Sequence, residues 1–154
     1  MVARRQIVLC GSMTFYEQMQ QIKGGLEQRG AWVISPSPDE INLNKLSADE
    51  YRAYKREISF SYIRQIKNPK TYGVLIVNID KHGIPNYIGP NSFAELAVAV
   101  AHGKAAFLLS DYPDIYADEL KAWNVIALNG QLDELLSKYT DACMHKSQQL
   151  EFNI

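Results

Sequence analysis

Apolar residues along this chain occur in two alternating patterns. Short continuous apolar runs, bounded by turn residues, alternate with longer stretches in which apolar positions recur at helical spacing. Continuous apolar runs are typical of strands that are buried on both faces of a sheet. We therefore predict strands over 6–10, 31–35, 73–79, 105–109 and 124–128.

The stretches between these runs have the start and stop signals of helices. Ser47 and Glu50 have the spacing of a capping box, and Pro69 ends the long helix that follows them. Gly30 is a natural C-terminal residue for the helix before it. The predicted helical segments are 13–29, 47–68, part of 87–104, 114–122 and 131–138, and the residues after 142 give no clear signal.

This order of elements predicts a single α/β domain over residues 1–154. Strands that alternate with helices indicate a parallel sheet covered on both faces, so we predict a three-layer, Rossmann-like or flavodoxin-like fold with about five strands. Ligands bind such sheets at the carboxyl ends of the strands. Three segments follow strands there: "CGSMTF", "NIDKHGIPNYIGPN" and "SDYPD". The second is the most informative, because a connection of about twelve residues is long for a βα loop.

Composition and charge exclude several classes of protein. Lys+Arg 16 against Asp+Glu 17 leaves no basic field, so we expect no nucleic-acid partner. The first apolar run is too short for a signal peptide, and no run approaches the length of a membrane span, so we expect no membrane association. Cys10 and Cys143 are isolated and the histidines are not clustered, so we expect a cytoplasmic protein without disulfide, metal or cofactor.

The segment "YIGPNSFAELAVAVAHGK" (87–104) carries one charge before its closing lysine, Glu95. Ser92 and Glu95 have the spacing of a capping box, which gives Glu95 a structural interpretation as a helix-start signal. The rest of the helix is apolar nearly all round, so we expect it to lie against the sheet with its first turn at the ligand edge. A carboxylate there, kept ionised by the helix dipole, suits nucleophilic attack at a sugar carbon. The pattern is compatible with both interpretations.

A longer segment, "NYIGPNSFAELAVAVAHGKAAFLL", resembles the central motif of the nucleoside 2-deoxyribosyltransferase superfamily. The resemblance covers residues 72–110, is supported by "CGSM" after the first strand, and is greatest to a branch of small bacterial and archaeal members. It implies an enzyme, hydrolase or transferase, that cleaves the N-glycosidic bond of a nucleoside or nucleoside 5′-monophosphate. The nucleophile of the family falls on Glu95, which would attack the anomeric carbon and expel the base.

Three further positions are candidates with open alternatives. The resemblance implies that Gly11 and Ser12 line the sugar or its 5′ substituent, although a turn with an N-cap serine explains the same residues. Asp80 is a candidate second carboxylate near the leaving base, or the acceptor of an Asx turn.

The loop before Glu95 contributes the remaining candidates. Tyr87 and Asn91 would contact a base or sugar; the alternatives are a tyrosine packed into the core and an asparagine that caps the helix. Gly89 and Ser92 belong to the same motif and complete the predicted substrate site.

The chain departs from the family pattern at two places. Tyr72 and Gly73 stand where family enzymes have an aspartate, which favours an alternative function as a non-catalytic nucleotide-binding or sensing protein. Glu119 stands where transferases have an asparagine that serves a neighbouring subunit, which favours hydrolysis over base transfer. The resemblance also implies a homodimer or a higher homo-oligomer.

Overall fold

The computed structural model describes residues 4–38 and 41–152, with side chains described as far as His145. Strands and α-helices alternate along this part of the chain. The strands are β1 (Gln6–Cys10), β2 (Trp32–Ile34), β3 (Thr71–Ile76), β4 (Ala105–Leu108) and β5 (Ile126–Ala127). The helices are α1 (Tyr16–Gln28), α2 (Ala48–Lys67), α3 (Pro90–Ala101), α4 (Ala117–Ala122) and α5 (Asp133–Phe152).

The strands form one parallel sheet in the order β2-β1-β3-β4-β5. This confirms the predicted three-layer α/β fold with a parallel sheet. From β1 the chain moves first to one side, to β2, and later to the other side, through β3, β4 and β5. The strand order therefore reverses between β1 and β3, and a crevice opens at the carboxyl ends of these two strands.

Alternate residues of each strand pack against different helices, as the two-residue repeat of a strand requires. On one face, Ile7 and Leu9 lie in a core with α1 and α5. On the other face, Val8 and Cys10 lie in a core with α2, α3 and α4. The sheet is therefore covered on both sides, which explains why its strands are continuous apolar runs.

The predicted boundaries of β3 and α5 differ clearly from those in the structure. β3 begins at Thr71 and ends at Ile76, whereas the apolar run suggested 73–79. The apolar run extends beyond the strand because Val77 is still buried. Its N–H donates to the Cys10 carbonyl oxygen at 2.8 Å, although the regular pairing of β1 and β3 has ended. α5 extends to Phe152, far beyond the predicted end at residue 138.

The capping interpretation of Ser92 and Glu95 is wrong. The N-cap of α3 is Gly89, and no side chain caps this helix end, so the alternative cap at Asn91 is wrong as well. Pro90 occupies the first helical position, where its missing N–H needs no partner and its fixed φ favours the helix. Ser92 is therefore a buried residue of the first turn, and Glu95 lies in the second turn.

Among the residues that the structure describes, no helix combines the length and apolar character needed to cross a bilayer.

Candidate functional site

A cavity of about 220 Å³ lies at the carboxyl end of β1, at the crevice where the strand order reverses. The end of β1 supplies Cys10 and Gly11, α2 forms the outer wall, and α3 brings Asn91, Ala94 and Glu95 to the other side. The residues of α2 that line it are Lys55, Ile58, Ser59, Tyr62 and Ile63. Within the described residues, Glu95 is the only acidic side chain of the walls.

The spacing along α3 explains why Glu95 faces this cavity. Asn91, Ala94 and Glu95 are three and four residues apart, so they share one face of the helix. Leu96 and Ala99 lie on the adjacent side of the helix and are fully buried in the core. The same helix thus anchors itself to the core and presents a carboxyl group to the cavity.

Burial raises the pKa of the Glu95 carboxyl group to about 7. The expectation that the helix dipole keeps this group ionised is wrong, because the dipole acts within the first turn and Glu95 lies beyond it. No hydrogen bond or ion pair joins the Glu95 carboxyl group to any residue of the described chain. The carboxyl group therefore gains and loses its proton close to neutral pH. At such a pH it can act as a nucleophile when ionised, or as a general acid or base.

Cys10 and Tyr62 form the floor of the cavity. Cys10 is fully buried, and burial together with the nearby Glu95 carboxyl group holds the pKa of its thiol well above the usual range. The hydroxyl group of Tyr62 donates to the carbonyl oxygen of Leu9. Burial, with smaller contributions from Cys10 and Glu95, raises the pKa of Tyr62, so the hydroxyl stays neutral and keeps its proton. The floor is neutral, and any negative charge in the cavity belongs to Glu95.

The first βα turn approaches β3 closely at Gly11. A Cβ at this position would lie 3.3 Å from the carbonyl oxygen of Val77, which leaves little space for a side chain. Ser12 caps the 3₁₀ turn Met13–Phe15, since its Oγ accepts from the N–H of Thr14 at 3.3 Å. The Nζ of Lys81 donates to the same oxygen at 2.8 Å. The N-cap interpretation of Ser12 is confirmed, and a cation that the sequence pattern did not single out lies beside it.

The loop between β3 and α3 is folded into a small hairpin. Lys81 and Ile84 exchange backbone hydrogen bonds of 3.1 and 2.9 Å, and the two residues between them, His82 and Gly83, have φ angles of +55° and +71°. Two successive positive φ angles match a type I′ turn. Tyr87 packs edge-on against His82, with ring centroids 5.7 Å apart, and lies under the Lys81 ammonium at 5.7 Å.

Asp80 closes this loop. Its Oδ1 accepts from the N–H of Asn86 at 2.8 Å, six residues further on, so the Asx-turn interpretation, which needs a partner two residues on, is wrong. The carboxyl group of Asp80 is exposed, and it is not part of the cavity wall.

A buried amide, Asn78, ties the loop to the end of β4. Its Nδ2 donates to the carbonyl oxygen of Asp111 at 2.7 Å and, with a longer bond of 3.4 Å, to that of Asn86. Its Oδ1 accepts from the N–H of Ser110 at 2.9 Å. Each of these hydrogen bonds joins the side chain to the backbone of another segment. Asn78 therefore holds the loop after β3 and the chain after β4 in place at the carboxyl edge of the sheet.

A second space adjoins the Glu95 cavity. A groove of about 590 Å³ runs between the chain after β2 and the outer side of α2, and it shares Met13, Pro36, Lys55, Ile58 and Tyr62 with the cavity. Tyr51 and Tyr54 supply aromatic surface in its wall. Cavity and groove together form one continuous cleft, which we call the Glu95 cleft.

The structure brings only part of the predicted site together. Gly11, Asn91 and Glu95 line the cavity, whereas the described walls exclude the other predicted substrate-binding residues: Ser12, Asp80, Tyr87, Gly89 and Ser92. Gly89 lies next to the Tyr87 ring. A Cβ on Gly89 would lie 3.5 Å from the nearest atoms of that side chain. Sequence reasoning missed the contribution of α2, because only its capping box and polar surface are visible in the sequence.

Tyr72 and Gly73, where the chain departs from the family pattern, are not part of the Glu95 cleft. Both residues are at the amino end of β3, the opposite edge of the sheet from Glu95. A carboxylate at either position would be outside the Glu95 cleft, so its absence says nothing about catalysis there. Glu119 lies exposed on α4.

The described residues contain no group of three or more His, Cys, Asp and Glu side chains that could hold a metal ion. Comparison with protein-family models, with curated proteins and with solved structures finds no match to this chain. Any functional conclusion therefore rests on the geometry of the Glu95 cleft.

Proposed function

We propose that this protein cleaves the N-glycosidic bond of a nucleoside or nucleoside 5′-monophosphate, with Glu95 as the nucleophile. One observation carries the proposal: a single, largely buried carboxyl group on a rigid helix faces a cavity at the reversal of strand order. The resemblance of residues 72–110 to the nucleoside 2-deoxyribosyltransferase superfamily supports the same assignment.

The reaction needs the ionised form of Glu95. Its carboxylate oxygen attacks the anomeric carbon, and the bond from that carbon to the base nitrogen breaks with its electron pair moving to the base. The base takes up a proton from solvent, and water hydrolyses the glycosyl ester to regenerate the carboxylate. Asn91, on the same helix face, is positioned to bind a sugar hydroxyl group.

The dimensions of the Glu95 cleft support a substrate with more than one part. The cavity of about 220 Å³ suits the sugar, and the adjoining groove offers Tyr51 and Tyr54 as stacking surface for a base. The Lys81 ammonium beside Ser12 is a cation close to the first βα turn, which suits the 5′-phosphate of a monophosphate substrate.

A non-catalytic nucleotide-binding or sensing role is the alternative, and its main support was the missing acid at Tyr72. That position lies at the amino end of β3, away from the Glu95 cleft, so the missing acid does not weigh against turnover by Glu95. We therefore favour the enzyme.

The test is a panel of ribo- and deoxynucleosides and their monophosphates, incubated with the protein with and without a second base. Chromatography then resolves free base and new nucleosides. Glu95→Gln should lower base release by orders of magnitude, because it keeps the shape of the side chain and removes the charge that attacks. Glu134→Gln, an exposed change on the opposite face of the sheet, is the matched control. Base release at the wild-type rate by Glu95→Gln contradicts the mechanism, and tight nucleotide binding without any base release supports the sensor.

We also propose that the protein is a homodimer in which α2 packs against its copy. Phe60, on the side of α2 that faces away from the Glu95 cleft, is a large apolar side chain exposed to solvent, which favours a partner. The helix begins with Asp49 and Glu50 and ends with Arg64 and Lys67, so two copies in antiparallel orientation bring opposite charges together. The free thiols of Cys10 and Cys143 support a location in the reducing cytoplasm.

A further inference from the structure

Outside the Glu95 cleft, an unassigned cavity lies at the amino-terminal edge of the sheet. It measures about 470 Å³ and lies between the amino ends of β3 and β4, the turn after α3 and the end of α4. The side chains that determine its chemistry are Arg5, Tyr72, Lys104 and Trp123. We call this space the amino-edge cavity.

Short side chains and tight turns create the amino-edge cavity. Ala105 and Ala106 line it, and their small size leaves the space open. Gly103 and Asn124, with φ angles of +69° and +59°, reverse the backbone on two of its sides. The backbone itself therefore shapes these sides of the cavity.

Arg5 is held in the wall with part of its hydrogen-bonding capacity unused. One guanidinium nitrogen donates to the carbonyl oxygen of Thr71 at 3.3 Å, and the guanidinium carbon lies 5.5 Å from the centre of the Tyr72 ring. Its Nε–H is buried and has no hydrogen-bond partner among the residues that the structure describes. Leaving a buried donor of a charged group unsatisfied is costly, which points to an acceptor that this site takes up from solution.

The other charge in the wall has the same sign. The Nζ of Lys104 donates to the carbonyl oxygen of Asn68 at 2.9 Å, which fixes this ammonium group at the rim. The described lining contains two cations and no carboxylate. The rings of Tyr72 and Trp123 supply apolar surface beside these charges.

We propose that the amino-edge cavity is a binding site for a small phosphate monoester. Two positive charges match the charge of a phosphate monoester near neutral pH, and the guanidinium fork suits the geometry of its oxygens. Tyr72 and Trp123 would contact the apolar or aromatic body of the ligand. The proposal is independent of the chemistry at Glu95, which lies at the opposite edge of the sheet.

The test uses inorganic phosphate as the probe and Trp123 as the reporter. Trp32→Phe removes the other tryptophan, so that the remaining fluorescence comes from the cavity wall. Titration with phosphate at constant ionic strength should give a saturable change, and acetate at the same ionic strength should give a much weaker one, because it carries a single charge. Arg5→Gln and Lys104→Gln should each weaken phosphate binding about tenfold or more, since each removes one charge-assisted contact. Arg4→Gln is the matched control, because Arg4 lies over Trp32 rather than in this cavity.

Backbone amide shifts locate the bound ion. Phosphate should move the signals of Gly103, Lys104 and Asn124 in the wild-type protein. The absence of a saturable response, equal binding by the Arg5→Gln and Arg4→Gln variants, or shifts confined to Gly11 and Ser12 would each overturn the proposal. Circular dichroism of every variant shows whether a loss of binding reflects a loss of fold, and Lys104→Gln provides the second variant if Arg5→Gln unfolds.

Discussion

The Glu95 carboxyl group lies where water is largely excluded, and its ionisation therefore opposes folding. Burial raises its pKa from 4.5 to about 7, so the folded chain binds this proton more tightly than the unfolded chain does. Between these two values the free energy of unfolding falls as the pH rises. At pH 8 the charged carboxylate costs about 2–3 kcal/mol of stability, with some allowance for partial solvent exposure.

Glu95→Gln should remove this cost. At pH 8 the variant should be more stable than the wild type by about 2–3 kcal/mol, and at pH 4 the two should be nearly equal, because the wild-type side chain is then neutral as well. Urea denaturation at a series of pH values measures the difference. A variant that is less stable than the wild type at pH 8 would show that the carboxylate has a partner that stabilises its charge.

The same ionisation should set the pH dependence of catalysis. A nucleophilic carboxylate must be deprotonated, so kcat/KM should rise about tenfold per pH unit below pH 7 and level off above it. Initial rates of base release between pH 5 and 9 measure this profile. An activity that falls as the pH rises through 7 would instead identify Glu95 as a general acid.

At the scale of single elements, β3 and β4 approach each other closely at Gly73. A Cβ on Gly73 would overlap the carbonyl oxygen of Ala105 and lie 2.9 Å from its Cβ. Gly73→Ala should therefore force the strands apart and lower the free energy of unfolding by about 3 kcal/mol. Gly24→Ala is the matched control, since α1 leaves open space there, and it should raise the stability by about 0.5–1 kcal/mol through helix propensity. Chemical denaturation of both variants checks the opposite signs.

Asn78 holds the end of β3 to the segments around it. Asn78→Ala leaves the N–H of Ser110 and the carbonyl oxygen of Asp111 without their partner and opens a small void, so we expect a loss of about 2–4 kcal/mol. Asn44→Ala, at an exposed position, should change the stability little. Thermal unfolding of the two variants separates the buried amide from a general effect of asparagine replacement. Equal melting temperatures for the two variants would contradict this role.

The sequence allows the elements to be predicted better than the site. Apolar runs such as 6–10 determine the strands, because burial on both faces leaves a continuous pattern that local reasoning detects. The start of α3 was misassigned because Ser92 and Glu95 imitate a capping box, whereas the proline at position 90 sets the boundary. The contacts of Lys81 and Tyr62 join segments distant in the chain, and no local pattern encodes such a pairing.

At the scale of the whole molecule, we expect α2 to determine the oligomeric state. Phe60 is 46% exposed on the side of this helix that faces away from the Glu95 cleft, and Phe60→Glu would bring like charges into a paired interface between two copies. The variant should be monomeric by analytical ultracentrifugation if the wild type is a dimer. Ile115→Glu is the control, because Ile115 is 74% exposed and lies on the segment before α4. A wild type that remains monomeric at high concentration would contradict the proposed dimer.

The buried amide of Asn78 also has a consequence for how the molecule fluctuates. It joins the loop after β3 to the chain after β4, so neither segment can move away without breaking the bonds of the other. Segments linked in this way open as a cooperative unit. In hydrogen exchange, the amide of Ser110 should therefore exchange at the same free energy as the amides of the hairpin around Lys81 and Ile84. One side chain would then make two separate loops at the carboxyl edge behave as a single piece.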